Sequence, residues 1–182
     1  MFTLLKDLRR LRRELALPRS DHGHDPGNDL SRGPGHTPSR SLAIRHVDAG
    51  SCNGCEHELT LTAGPHYDLQ RFGLGVVASP RHADVLLVTG TVTTRMREPL
   101  LTAYAAMPEP RMVAALGNCA AGRDVIGMPG DLAGAVGDIL PVDLVIPGCP
   151  PAPDLIARAL LDLIDHDRRP GAPGITRRRS PT

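Results

Sequence analysis

Asp84-Val85-Leu86-Leu87-Val88-Thr89-Gly90 is an unbroken aliphatic run, opened by an acidic residue and closed by a threonine and a glycine. A strand with one wet face alternates apolar with polar residues; a strand apolar at every position must be covered on both faces, and the run is too short for a helix. Working outward, similar short runs occur at Leu42–Val47, Phe72–Ala78, Met112–Leu116 and Asp143–Ile146, with helical spacing at Glu56–Ala63, Thr94–Met107 and Pro153–Ile164. Strands alternating with helices predict an α/β fold: an open parallel sheet with helices on both faces. Aromatic residues make up only 2% of the chain and Trp is absent, so the interior must be built from Val, Leu, Ile and Ala. Ligands of such sheets gather beyond the carboxyl ends of the strands.

The flanks have a different composition. Met1–Leu17 places Leu4, Leu8, Leu11 and Leu15 at helical spacing with Lys6, Arg9, Arg10, Arg12 and Arg13 between them, which reads as a basic amphipathic helix for a membrane surface or a partner subunit. Residues 18–40 are dense in Pro, Gly, Ser, Asp and His, too polar to offset the entropy of ordering, and are expected to be a disordered linker. His22, His24 and His36 within it suit solubility better than a metal tract. The folded domain is expected over residues 41–167, with a disordered tail at 168–182. A formal net charge of +1 and the lack of stacking aromatics argue against a nucleic-acid partner. Asp7 and Glu14, with no apolar segment or cleavage site following, argue against a targeting peptide and for a cytoplasmic chain. Because no run reaches the roughly 18 to 20 apolar residues of a membrane span, membrane association is expected to be peripheral.

Four cysteines carry the chemistry. Cys52 and Cys55 form a Cys-x-x-Cys after the first strand, Cys119 follows the strand ending at Leu116, and Cys149 follows the one ending at Ile146. In a parallel sheet all four fall on one edge, in loops rich in glycine (Gly50, Gly54, Gly117, Gly122, Gly148) whose N–H groups can approach bound sulfide. Disulfides are disfavoured without a secretion signal, and a lone redox dithiol leaves Cys119 and Cys149 unexplained. Structural zinc usually takes paired knuckles, but thiolate spacing by itself leaves zinc and an iron–sulfur cluster both open. The run Gly148-Cys149-Pro150-Pro151 tilts the choice, since a proline directly after a ligand recurs in cluster-binding runs. Gly117-Asn118-Cys119-Ala120-Ala121-Gly122 is no dinucleotide fingerprint, because Cys119 replaces its middle glycine and Gly127, Pro129 and Gly130 interrupt the helix that should follow.

Five ordered blocks carry a resemblance across about Ser41 to Asp165: Asp48-Ala49-Gly50-Ser51-Cys52-Asn53-Gly54-Cys55-Glu56, Ser79-Pro80-Arg81-His82-Ala83-Asp84, Val85 through Thr93, Gly117-Asn118-Cys119, and Pro147-Gly148-Cys149-Pro150-Pro151. Together they resemble the small subunit of group 4 membrane-bound [NiFe]-hydrogenases, of which formate hydrogenlyase is the best-known member, and the related B subunit (20 kDa subunit) of NADH-quinone oxidoreductase. The resemblance implies a flavodoxin-like domain holding one [4Fe–4S] cluster through Cys52, Cys55, Cys119 and Cys149. It implies an electron-transfer subunit with no complete active site of its own. Its partners would be a hydrogenase-like large subunit, a ferredoxin-like iron–sulfur subunit and membrane-embedded subunits, on the inner face of the cell membrane. The complex I subunit carries adjacent cysteines, so the separated pair favours the hydrogenase side. The stretch Ala121–Leu140 is short and lacks the aromatic-bearing insert associated with formate hydrogenlyase, which leaves a complex I-like quinone reductase as the alternative. A zinc-stabilised, non-redox interaction module is the alternative of another class.

Around the cysteines, Asn53, Gly54, Asn118 and Gly148 are expected to donate to sulfur, and Arg81, His82, Arg95 and Arg97 to supply positive charge nearby or meet the large subunit. Glu56 suits a proton relay at the large-subunit interface or, the reading favoured here, complements a helix N-terminus. His57 and Glu58 read as solvent or interface positions, and Thr91 and Thr93 as the end of a strand and a helix cap.

Overall fold

The computed structural model describes residues 41–123 and 130–166. The expected N-terminal helix, the linker with its histidines and the C-terminal tail lie outside those residues. In chain order the elements are β1 (Leu42–Asp48), α1 (Gly54–Thr62), β2 (Leu74–Val76), β3 (Val85–Thr89), β4 (Val92–Thr93), α2 (Thr94–Ala105), β5 (Met112–Leu116), β6 (Leu132–Gly134), β7 (Leu144–Ile146) and α3 (Pro153–His166).

Five strands form one sheet in the order β2-β1-β3-β5-β7, every neighbouring pair parallel. Numbered within that sheet alone the order is 2-1-3-4-5, the flavodoxin-like arrangement, so the expected fold class is the one observed. The run that opened the sequence reading is the central strand, and all five of its residues are buried. Val85 and Leu87 point into a core shared with Leu59 of α1 and with Ile156 and Leu160 of α3. Leu86 and Val88 point the other way, against Leu100 and Met107 at α2. A slip of one residue would exchange these two faces, which is why an aliphatic residue is needed at each position.

The amino edge is closed by a device used twice. Asp84 donates its N–H to Ala43 O (2.8 Å) and accepts the Ala43 N–H at Oδ2 (2.8 Å). Asp143 does the same with Val113, at 2.9 Å in both directions. Each aspartate extends the parallel ladder by one pair just before its strand starts, which accounts for an acidic residue at the head of two apolar runs.

Two elements differ from the sequence reading. Of the expected strand Phe72–Ala78 only Leu74–Val76 is strand; Leu69–Phe72 forms a 3₁₀ turn that Gly73, at φ 84°, terminates. After Val77 bonds Ile44 O, Pro80 starts a further 3₁₀ turn, so β2 covers only the amino half of β1. The short antiparallel pair β4 and β6 has too few residues to give a period and was not anticipated.

Truncating the centre of the sheet tests this architecture. Leu87→Ala is expected to cost about 2–5 kcal/mol, because the side chain is fully buried and the surrounding sheet collapses only partly into the void. Urea denaturation followed by circular dichroism should show a lower midpoint with an unchanged slope.

Candidate metal centre at the carboxyl edge of the sheet

Because the five strands run the same way, the loops after β1, β3, β5 and β7 all emerge at one edge; Cys52, Cys119 and Cys149 lie on three of them and Cys55 in the first turn of α1, which follows the first. Each loop is tied to another. Asp48 Oδ1 accepts the N–H groups of Gly50 (2.9 Å) and Ser51 (2.8 Å), turning the chain back after β1. Asn53 then takes the left-handed conformation, φ 71°, which Asn tolerates better than most residues, and α1 begins at Gly54. Gly90 after β3, at φ +76°, lies so close beneath this turn that any Cβ would collide with the Ser51 nitrogen. Thr91, buried, donates its hydroxyl to Cys119 O at 3.4 Å.

Beyond β5 and β7 the ladder continues into the ligand loops. Gly117 N–H bonds Ile146 O (2.8 Å), Asn118 N–H bonds Gly148 O (2.8 Å), and Asn118 Oδ1 accepts the Gly148 N–H (2.9 Å). These two loops meet the first one through sulfur and proline. A Cβ at Gly117, φ +89°, would stand 2.5 Å from Cys55 Sγ, while a Cβ at Gly54 would lie 3.6 Å from Cys52 Sγ and 3.8 Å from Pro150. Residue 117 must therefore be glycine both for its backbone conformation and for the sulfur beside it.

None of the four cysteines is in a disulfide; Cys52 and Cys149 are exposed, and Cys55 and Cys119 half-buried. Burial first, then the charge of Glu56, then Cys119, Cys52 and Cys149 push the Cys55 thiol up to about 11. All three other sulfurs thus bear on Cys55, so the four share one electrostatic neighbourhood. Among the described residues, no three His, Cys, Asp or Glu side chains are drawn together as one metal ion requires. A single zinc needs its sulfurs about 2.3 Å from one point. By ligand chemistry, an all-thiolate set suits either zinc or an iron–sulfur cluster.

Beside Cys55 lies a polar group the sequence reading did not assemble. Glu56 does lie in the first turn of α1, but its carboxylate also reaches over the sheet: Thr89 Oγ1 donates to Glu56 Oε1, and His46 Nε2 is 2.9 Å from Thr89 Oγ1 and 3.8 Å from Glu56 Oε1. A hydroxyl has one hydrogen, so if it points at Glu56 it accepts from His46, which places the imidazole proton on Nε2. Burial chiefly lowers the His46 pKa below its usual value; Glu56 and Asp48 oppose this and Arg45 adds to it. Strand parity was the overlooked signal, because His46 follows Leu42 and Ile44, and Thr89 follows Val85 and Leu87, on the core face that α1 covers.

Other expected residues fall differently. Gly148 does not offer its N–H to sulfur, because Asn118 Oδ1 accepts it, and the Asn53 N–H is likewise engaged by Ser51 Oγ at 2.9 Å. Arg81 and His82 sit on the turn before β3, at the amino edge, so the length of a five-residue strand, roughly 16 Å, separates them from the cysteines. Arg95 and Arg97 start α2 on the carboxyl side and are exposed, Arg97 pairing with Glu98 at 2.6 Å. Thr93 caps α2 as expected, accepting the Met96 N–H at 3.3 Å. His57 is exposed, with Asn53 Nδ2 at 3.4 Å.

Fold and site together define a flavodoxin-like domain with four undisulfided cysteines gathered at its carboxyl edge. Residues 52–163 match the family described as NADH ubiquinone oxidoreductase, 20 Kd subunit, and the chain belongs to that family. It is 43% identical over 138 residues to formate hydrogenlyase subunit 7 of Escherichia coli, covering 72% of this chain and 54% of that protein. It is also 43% identical over 122 residues to a probable membrane-bound hydrogenase subunit of Pyrococcus furiosus, covering 67% of this chain and 73% of the relative. The chain therefore spans about half the length of the first of these and about three quarters of the second. Among solved structures, a chain of the archaeal membrane-bound sulfane sulfur reductase superposes with TM-score 0.59 at 28% identity, over 79% of this chain and 77% of that one. A chain of an NAD⁺-reducing [NiFe]-hydrogenase superposes with TM-score 0.54 at 21% identity, over 74% and 96%, and shares the fold. These relatives are parts of oxidoreductase complexes. Among the described residues no helix is long and apolar enough to cross a membrane.

The raised Cys55 pKa has a direct readout in the metal-free protein. Alkylation of Cys55 by iodoacetamide should climb about tenfold per pH unit up to about pH 11, because only the thiolate reacts. Peptide mass spectrometry follows it residue by residue, and a plateau near pH 9 would contradict the burial assigned to this sulfur.

Proposed function

We propose that this chain is the electron-transfer small subunit of a membrane-bound [NiFe]-hydrogenase-like oxidoreductase of the formate hydrogenlyase type, holding one [4Fe–4S] cluster on Cys52, Cys55, Cys119 and Cys149. The observation that carries this reading is the gathering of four undisulfided cysteines, from three loops and the first turn of α1, at the carboxyl edge of the sheet. Bound there, the cluster supplies one-electron transfer. The chain's own residues hold the thiolates in place. Gly117 leaves room for the Cys55 sulfur, Asn118 locks the Cys119 loop to the Cys149 loop, and Gly90 lets the Cys52 loop lie flat on β3. Exposed Cys52 and Cys149 put the site at the surface, where a large subunit can cover it and electrons have a short path.

The remaining partners follow from the same reading: a ferredoxin-like iron–sulfur subunit and membrane-embedded subunits, with the chain peripheral on the cytoplasmic face of the membrane. A complex I-like quinone reductase is the second reading, favoured by the description of the matched family. Nickel-binding cysteine pairs in the large subunit encoded beside this chain would decide for hydrogenase, and their absence for quinone reductase.

Anaerobic reconstitution tests the cluster. The protein should turn brown, take up about four irons and four sulfides per chain, and give a paramagnetic resonance signal on reduction with dithionite. Changing any one of Cys52, Cys55, Cys119 or Cys149 to Ala should remove most of the iron while leaving the far-ultraviolet circular dichroism intact. A colourless protein with one zinc per chain would overturn the proposal.

A further inference from the structure

Glu56 is buried in a place where a helix start does not require it. Its side chain retains only 15% of its exposure, and its second oxygen, Oε2, is buried without a hydrogen-bond partner among the described residues. A carboxylate needed only to complement the first turn of α1 would do so from solvent, as surface acids at helix starts do. This one instead turns inward and is fixed by Thr89 of β3, with His46 of β1 alongside. It is thereby tied to the two strands that flank the reversal point of the sheet, and it is peptide-bonded to Cys55.

Resting on the cluster reading above, we infer that Glu56 is a positioning residue for that cluster. Its carboxylate tethers the first turn of α1, and with it Cys55, to Thr89, and it holds a negative charge beside the ligand that lowers the cluster's reduction potential. Two further observations support the two halves in turn. Gly117 leaves Cys55 no slack, since a Cβ there would already touch its sulfur, so a small displacement of α1 is transmitted to the ligand. Glu56 Oε2 is buried without a hydrogen-bond partner among the described residues, so no neighbouring donor offsets the carboxylate's charge. Reduction adds negative charge to the cluster, and a fixed negative charge in a poorly solvated place opposes it. The neutral Thr89 hydroxyl satisfies Oε1 without cancelling that charge, and the burial that lowers the His46 pKa keeps the imidazole from doing so.

The two halves separate in different variants of the reconstituted full-length chain. Glu56→Gln keeps an oxygen for Thr89 and removes the charge. Its cluster should hold the same iron content and circular dichroism but a higher midpoint in a resonance-monitored redox titration. At the wild-type midpoint the ratio of reduced to oxidised cluster should rise severalfold, a tenfold rise corresponding to about 59 mV. Thr89→Val keeps the charge and cuts the tether, and should release iron to a chelator severalfold faster than wild type, with Thr89→Ser restoring the slow rate. A potential unchanged in Glu56→Gln, or chelator kinetics unchanged in Thr89→Val, overturns the corresponding half and leaves the cluster in place. A wild-type chain that takes up no iron overturns the cluster reading and this assignment with it.

Discussion

The contact between Gly117 and the Cys55 sulfur sets the geometry of the whole carboxyl edge. Cys55 enters from the first turn of α1 and Gly117 from the end of β5, and no side chain fits between them. A contact this close requires α1 to lie flat on the sheet and the β5 loop to follow the β7 loop without deviation. The first condition is met by the core of Leu59, Val85, Leu87 and Ile156, and the second by the paired hydrogen bonds of Asn118 and Gly148. The site is thus an outcome of packing on one face of the sheet and of ladder geometry along it.

The two faces of the sheet divide the work. The face covered by α1 and α3 carries the only polar group reaching from strand to helix next to a cysteine among the described residues, Glu56 with Thr89 and His46. The face covered by α2 is aliphatic through Leu86, Val88, Val113 and Ala115, and it supplies rigidity. The amino edge has its own closure in Asp84 and Asp143, so function and stability are assigned to opposite ends of the strands. Such a division is what a parallel sheet allows, because all its strand ends of one kind lie together.

Electrostatics at the edge run against the thiolate form as long as no metal is present. Burial, a neighbouring carboxylate and three more sulfurs all disfavour charge on Cys55, which is why its thiol is held protonated far above neutral pH. In the proposed cluster, iron would supply the compensating positive charge, so such a set of ligands would gain from binding what it loses in isolation. The match to the 20 Kd subunit family spans residues 52–163 and so includes all four cysteines.

The sequence by itself determined the sheet, because an aliphatic run without alternation admits only a strand buried on both faces, and it determined the edge at which the cysteines gather, because parallel strands leave no choice of end. It also located Thr93 as a cap. It could not determine which side chains meet across the sheet. Arg81 and His82, expected near the ligands, lie at the opposite end of β3, and Gly148 gives its N–H to Asn118. Glu56 finds Thr89 and His46 through residues 33 and 10 positions away, a meeting set by how α1 lies over β1 and β3. Local pattern fixes which face a residue takes; only the docking of one element on another fixes the neighbour it finds there, because that choice is made by packing of the whole core.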